Sequence, residues 1–165
     1  MADKYKQCDV TIVGAGPAGA ILAFELAQKG LRVLLLEKEI LPRKKVCAGG
    51  ITVRARTLLP FDIDEIVENV IYGVRLSYHR VIEKVRKYDQ PLAYMVRREK
   101  FDQLLVTQAC KAGALLEDGV EVQRVEPAGN HVIVKTSLNT FSTSILVGAD
   151  GANSAVVRSL GWRKG

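Results

Sequence analysis

The residues best suited to chemistry stand close to the start of the chain. Gly14-Ala15-Gly16-Pro17-Ala18-Gly19 is a G-x-G-x-x-G turn, and Glu37 follows 18 residues after its last glycine. This pairing suits a dinucleotide. Gly14 allows a tight turn, Gly16 lets backbone approach a pyrophosphate, and Gly19 permits close packing of helix on strand. Pro17 and Ala18 open a helix whose free N–H groups and positive dipole end favour phosphate. Glu37 would accept hydrogen bonds from ribose hydroxyls and repel a 2′-phosphate, so the site favours an unphosphorylated adenosine ribose. NAD and FAD use the same unit, and these residues alone leave the choice open.

Three further groups could serve a ligand. Residues 42–52 read PRKKVCAGGIT, where Gly49 and Gly50 let a loop lie flat against a bound molecule. Arg43, Lys44 and Lys45 suit phosphate or carbonyl oxygens, and a solvated cationic loop accounts for them as well. Arg98 stands at the start of a helical segment, where a cation opposes the helix dipole; a bound anion would explain it, as would simple solvent exposure. Asp150 lies in a Gly148-Ala-Asp-Gly151 turn, where it is either a ligand group or an ordinary turn aspartate aided by capping from Asn153 or Ser154.

The elements that must position these groups are readable from pattern. Residues 9–14 are apolar and β-branched without polar alternation, as in a buried parallel strand. Ile21, Leu22, Phe24, Leu26 and Ala27 follow as a helix that Lys29-Gly30 ends, and a second apolar strand runs from Arg32 to Leu36. A short helical pattern over 51–60 stops at Pro60. Tyr72 to Met95 reads as extended strands with turns near Arg80 and at Asp89-Gln90-Pro91; His79, inside it, reads as a surface residue. Residues 98–112 are an amphipathic helix with Phe101, Leu104, Leu105, Gln108 and Ala109 at helical spacing. Strands follow at 114–116 and 120–125. Residues 130–136 and 141–146, turning at Asn139, read as a β-meander, and a strand into the Gly-Asp-Gly turn precedes a short helix with Val156, Val157 and Leu160.

DVTIVGAGPAGA, Glu37 and KVCAGG together resemble the geranylgeranyl reductase family of flavoproteins, within the group that has the p-hydroxybenzoate hydroxylase-type FAD fold. The K-x-C-A-G-G string is the discriminating piece. REKFD matches the family's R-x-x-F-D at Arg98, Phe101 and Asp102, and GADGANS matches its G-A-D-G-x-x-S. The resemblance implies an α/β fold: a Rossmann-like FAD-binding βαβ domain with a parallel sheet, a β-meander and an inserted antiparallel substrate-side segment at 70–96. It implies that residues 1–165 are an FAD-binding domain covering the family's N-terminal half, a truncated chain with the C-terminal substrate domain absent. Cys47, Ala48 and Gly50 would lie beside the isoalloxazine, with Cys47 either catalytic or a small packing residue. Arg98 would meet the pyrophosphate or ribose, with Arg97 as the competing candidate. A backbone N–H and C=O pair at Val122 would read the adenine edge, and Asp150 would serve a ribose hydroxyl or hold the turn.

The implied activity is FAD-dependent reduction of isoprenoid double bonds, with NAD(P)H or another reductant as electron donor and a prenyl lipid as substrate. Hydroxylation or another oxidation on FAD, or a nucleotide-binding module without catalysis, are the alternatives. Composition narrows the field further. The chain has 165 residues, 48% of them hydrophobic and 25% charged, which excludes disorder and leaves room for a real core. No apolar run approaches about 20 residues, and the start MADKYKQCDV lacks a signal-peptide core, so a cytoplasmic location is expected. Three scattered cysteines form neither a disulfide framework nor a metal site. The net charge of +6 would assist peripheral docking on an anionic membrane, or simply solubility; dispersed cations without interleaved aromatics argue against nucleic acid.

Overall fold

The computed structural model describes residues 8–79 and 82–162. The chain separates into two compact units, residues 1–43 with 102–165, and residues 44–101.

The first unit is built on a six-stranded sheet. Strand β1 (Cys8–Val13) enters the glycine turn, helix α1 (Pro17–Gln28) leaves it, and β2 (Val33–Leu36) returns parallel to β1. All four residues of β2 are fully buried, as a strand covered on both faces requires. Helix α1 lays Ala20, Ala23, Phe24 and Ala27 inward, so small side chains bring it close to the sheet. Gly30, at φ +79°, ends it in the left-handed conformation expected of a C′ glycine.

Unit one continues through most of helix α3, whose whole span in the chain is Arg98–Lys111, into β8 (Leu115–Glu117), which pairs parallel with β2. Strands β9 (Val122–Ala128), β10 (His131–Thr136) and β11 (Thr140–Gly148) form the antiparallel meander, and β11 joins β1 in parallel. The order is β8-β2-β1-β11-β10-β9. On one face Val13, Leu34, Leu36, Val122, Val134 and Phe141 form a core that Val156 of α4 (Ala155–Ser159) closes.

The second unit holds two separate, smaller sheets. Its three-stranded antiparallel sheet has the order β3 (Gly50–Thr52), β7 (Ala93–Val96), β4 (Val67–Ile71), and a two-stranded hairpin pairs β5 (Gly73–Tyr78) with β6 (Ile82–Lys87). The turn expected near Arg80 lies outside the described residues. One helix differs from its pattern. Instead of a single helix over 51–60, residues 50–52 join the sheet and α2 spans only Val53–Thr57, capped by the Thr52 hydroxyl accepting the Ala55 N–H at 3.1 Å. Pairing of Gly50–Thr52 with Ala93–Met95 claims the residues that helical spacing had assigned to the first turn. The strand β4 gives little apolar signal, since Glu68 and Asn69 stand exposed inside it.

Candidate functional site

In the first unit, the turn between β1 and α1 packs against the end of β11. Gly14 adopts φ +102°, and a Cβ there would stand 2.5 Å from the Ala149 carbonyl oxygen. A Cβ on Gly19 would collide with the Gly14 carbonyl. Only glycine satisfies both positions, and the cause is backbone against backbone. Gly16 differs: no atom lies within 4 Å of its would-be Cβ. Its missing side chain therefore leaves open space at the helix start, a cradle that a phosphate can occupy. Gly16 is also the N-cap of α1, with no side-chain hydrogen bond onto the first turn and no acidic residue in it, so the helix end keeps its positive character.

Asp150 sits on the same side of this turn, its Cα 2.9 Å from the would-be Gly14 Cβ. Its Oδ2 accepts the Ala155 N–H at 2.6 Å and the Val156 N–H at 3.4 Å, and Ser154 Oγ accepts the Val157 N–H at 3.0 Å. The helix-capping reading thus holds for one oxygen, with Ser154 as the residue that aids it. The other, Oδ1, is buried and without a hydrogen-bond partner. A buried carboxylate oxygen left unpaired costs free energy, and a hydroxyl donor from a ligand would remove that cost.

Glu37, at the end of β2, is 6% exposed. Its Oε2 accepts the Ala15 N–H at 2.9 Å and lies 3.3 Å from Arg43 Nη2, while Oε1 accepts the Glu39 N–H at 3.3 Å. The carboxylate therefore grips the glycine turn directly. Arg43 departs from the cationic-loop expectation. It is 8% exposed, and its Nη1 donates to Asp102 Oδ2 at 2.8 Å. Burial disfavours its charge, but the hydrogen bonds and charges of Glu37 and Asp102 outweigh that and raise its pKa. Arg43 is thus no solvated cation and no free phosphate ligand; its two carboxylates take it out of the loop's exposed charge. Asp102, fully buried on α3, had drawn no role beyond its place in R-x-x-F-D. The readable signal was its position: it shares a helical face with Leu105 and Val106, where an apolar residue is the norm.

Val122 is buried in the first unit's core on β9, an edge strand, opposite Thr136.

The remaining candidates fall in the second unit. There a cavity of about 570 Å³ is lined by Lys44, Lys45, Cys47, Ala48, Arg97 and Arg98, with Val46, Glu68, Met95, Val96 and Glu99. Cys47 is exposed, not a buried packing residue, and its Sγ accepts the Gly49 N–H at 3.5 Å. The loop is held at Gly49, whose carbonyl accepts the Val96 N–H at 2.9 Å and whose φ of +74° brings it so close to Val96 that a Cβ would strike the Val96 carbonyl. Gly50 lies in β3 opposite Met95. Arg97 is mostly exposed and pairs with Glu68 at 2.9 Å, whereas Arg98 is half-buried at the first position of α3. Among the described residues no group of acidic, histidine or cysteine side chains could hold a metal. No described helix is long and apolar enough to cross a membrane.

Comparison with known proteins agrees with this geometry. The chain is 35% identical over 94% of its length to an uncharacterised protein of Methanosarcina barkeri, covering 40% of it. It is 33% identical over 90% of its length to geranylgeranyl diphosphate reductase of Rhodobacter capsulatus, covering 38% of that protein. The chain thus spans about two-fifths of the length of these relatives. It shares its fold with a geranylgeranyl bacteriochlorophyll reductase-like protein of Thermoplasma acidophilum, at a TM-score of 0.79 and 24% identity, over 93% of this chain and 42% of that one. The family model of the FAD binding domain matches residues 7–165. A glycine turn open at Gly16, an orphaned carboxylate oxygen beside it, and a match over nearly the whole sequence lead to one conclusion: this chain belongs to the FAD-binding-domain family of flavoproteins.

Proposed function

We propose that this chain is the FAD-binding portion of a reductase of isoprenoid double bonds. The observation that carries the nucleotide assignment is the buried, unpartnered Oδ1 of Asp150, whose backbone lies against Gly14 in the turn that stays open at Gly16. In this reading Gly14, Gly16, Ala18 and Gly19 surround the pyrophosphate. Glu37 and Asp150 serve ribose hydroxyls, and the backbone at Val122 reads the adenine edge. Cys47, Ala48 and Gly50 border the flavin ring, and Arg98 supplies a cation to the phosphates or ribose. Reduced FAD, when bound, would supply hydride to one alkene carbon while a proton adds to the other, with NAD(P)H or another reductant as the donor that recharges it. The protein's own part is to bind, to orient and to keep water from the ring. Relatives named for geranylgeranyl diphosphate reduction and the KVCAGG string support a prenyl substrate.

A prenyl substrate also gives the second unit's hairpin a use. Val74, Leu76 and Tyr78 form an exposed row on one face of β5, with exposed Tyr72 just before the strand, and Lys84 and Arg86 stand opposite on β6. Apolar and aromatic side chains flanked by cations suit the surface of an anionic leaflet.

Two measurements test the reading. The purified protein is expected to carry flavin absorbance, and Asp150→Asn is expected to weaken FAD binding by about tenfold, the effect of losing one charge-assisted hydrogen bond. Supplied with NADPH and a prenyl diphosphate, the complete enzyme is expected to saturate the chain, seen as hydrogen uptake by mass spectrometry. Bound flavin with oxygen-dependent hydroxylation of an aromatic compound would overturn the substrate assignment while keeping the cofactor. A colourless protein would overturn both.

A further inference from the structure

The second unit's hairpin concentrates charge as well as apolar surface. Residues 72–88 carry Arg75, Arg80, Lys84, Arg86 and Lys87 against Glu83 alone, a formal +4 out of the chain's +6. Register sorts these side chains by face, because cross-strand partners point the same way and successive residues alternate. Val74 stands opposite Arg86 and Leu76 opposite Lys84, and Tyr78 continues that row. The other face pairs Arg75 with Val85, Ser77 with Glu83 and Gly73 with Lys87. One face is therefore an apolar column on β5 beside a cationic column on β6, and it holds no acid. The other is mixed and carries the hairpin's one carboxylate. Val74, Leu76, Tyr78, Lys84 and Arg86 are all exposed, so the pattern is not core packing within the unit.

We propose that this one face, rather than the hairpin as a whole, docks on an anionic lipid bilayer. The inference rests on the prenyl-substrate reading for its purpose, while its geometry stands without the flavin. Neighbouring strands lie about 4.8 Å apart, and long cationic side chains reach past that distance. Lys84 and Arg86 therefore meet anionic headgroups while Val74 and Leu76 press toward the acyl chains. Tyr78 suits the boundary between them, with an apolar ring and a polar hydroxyl. A purely electrostatic partner needs no apolar column, which favours a lipid surface over an acidic polymer.

Vesicle sedimentation tests this on the complete protein, with phosphatidylcholine alone or mixed with phosphatidylglycerol. Native protein is expected to bind the mixed vesicles at least about tenfold more tightly than the neutral ones. Lys84→Gln with Arg86→Gln should weaken that binding about thirtyfold, from about fivefold for each cation at the surface. Arg75→Gln with Lys87→Gln removes the same charge from the other face. It should cost no more than about fivefold, because salt screens charge over about 10 Å. Equal losses from the two pairs would mean undirected attraction and would overturn the assignment of a face, as would equal binding to both kinds of vesicle. Binding to polyglutamate through Lys84 and Arg86, with vesicles ignored, would assign the face to an acidic protein and overturn the lipid. The two readings fail separately. A yellow protein that saturates a detergent-dispersed prenyl diphosphate but ignores vesicles would end this inference and keep the function. A protein that binds vesicles through Lys84 and Arg86 yet saturates no prenyl chain would end the substrate reading and keep the docking face.

Discussion

Strand β2 in the first unit and strand β5 in the second are both rich in apolar residues, yet they meet opposite environments. Val33, Leu34, Leu35 and Leu36 are all 0% exposed, whereas Leu76 and Tyr78 of β5 are 63% and 67% exposed. The difference lies in neighbours. β2 is paired on both edges, by β1 and β8, and is covered by α1, so its side chains complete a core. β5 is paired only with β6, and a two-stranded hairpin offers no second layer. Apolar residues in the first unit therefore act as structure. In the second unit's hairpin they form a surface with cations beside it, which is why that hairpin is the element proposed to meet lipid.

Paired substitutions test this contrast most directly. Leu35→Ala is expected to destabilise the protein by about 2–5 kcal/mol, since the side chain leaves a cavity in a packed sheet core. Leu76→Ala should change stability by no more than about 0.5 kcal/mol. Denaturant unfolding measures both, and equal losses would break the comparison. An intermediate effect is expected from Gly49→Ala, about 1–3 kcal/mol, because a Cβ would strike the Val96 carbonyl and the residue already holds a positive φ. Hydrogen exchange sharpens this result. Protection should fall at residues 93–96 while 33–36 keep theirs, and a uniform loss would mean that the second unit has no stability of its own to lose.

The smallest effect concerns a surface pair of the first unit. Arg32 donates to Asp9 through its guanidinium at 2.6 Å and its backbone N–H at 2.8 Å, and these hydrogen bonds hold the Asp9 carboxyl down at about 2 from an ordinary 3.8. Because the folded-state value is depressed, the pair's contribution is present above about pH 4 and is lost as pH falls through about 2. An NMR titration should find the Asp9 midpoint near 2 in the native protein and raised toward, but still below, the ordinary 3.8 in Arg32→Ala, where the backbone N–H of residue 32 still donates. A midpoint unmoved by that substitution would refute the assignment.

Much of the first unit could be read directly from residue order. Apolar runs without polar alternation at 9–14 and 32–36, punctuated by Gly14–Gly19 and Lys29-Gly30, leave few alternatives to a βαβ unit, because each signal is local and they agree. Residues 50–52 misled for the opposite reason: helical spacing is a local signal, and their strand exists only because Ala93–Met95 lie alongside. The exposure of Cys47 was equally out of reach, since a free cysteine is more often a buried small residue than an open one.

What the sequence determined by itself was the glycine turn, the acid at the end of the second strand and the family these imply. Their chemistry follows from backbone sterics and from residues near one another in the chain. Tertiary structure alone decided the fate of the charges. Arg43 sits in a basic loop beside Lys44 and Lys45, yet only Arg43 is buried, because Asp102, 59 residues later, arrives on α3 to meet it. A charge leaves water only where distant partners replace its hydration, and that requirement is written in the packing of the fold rather than in any local pattern.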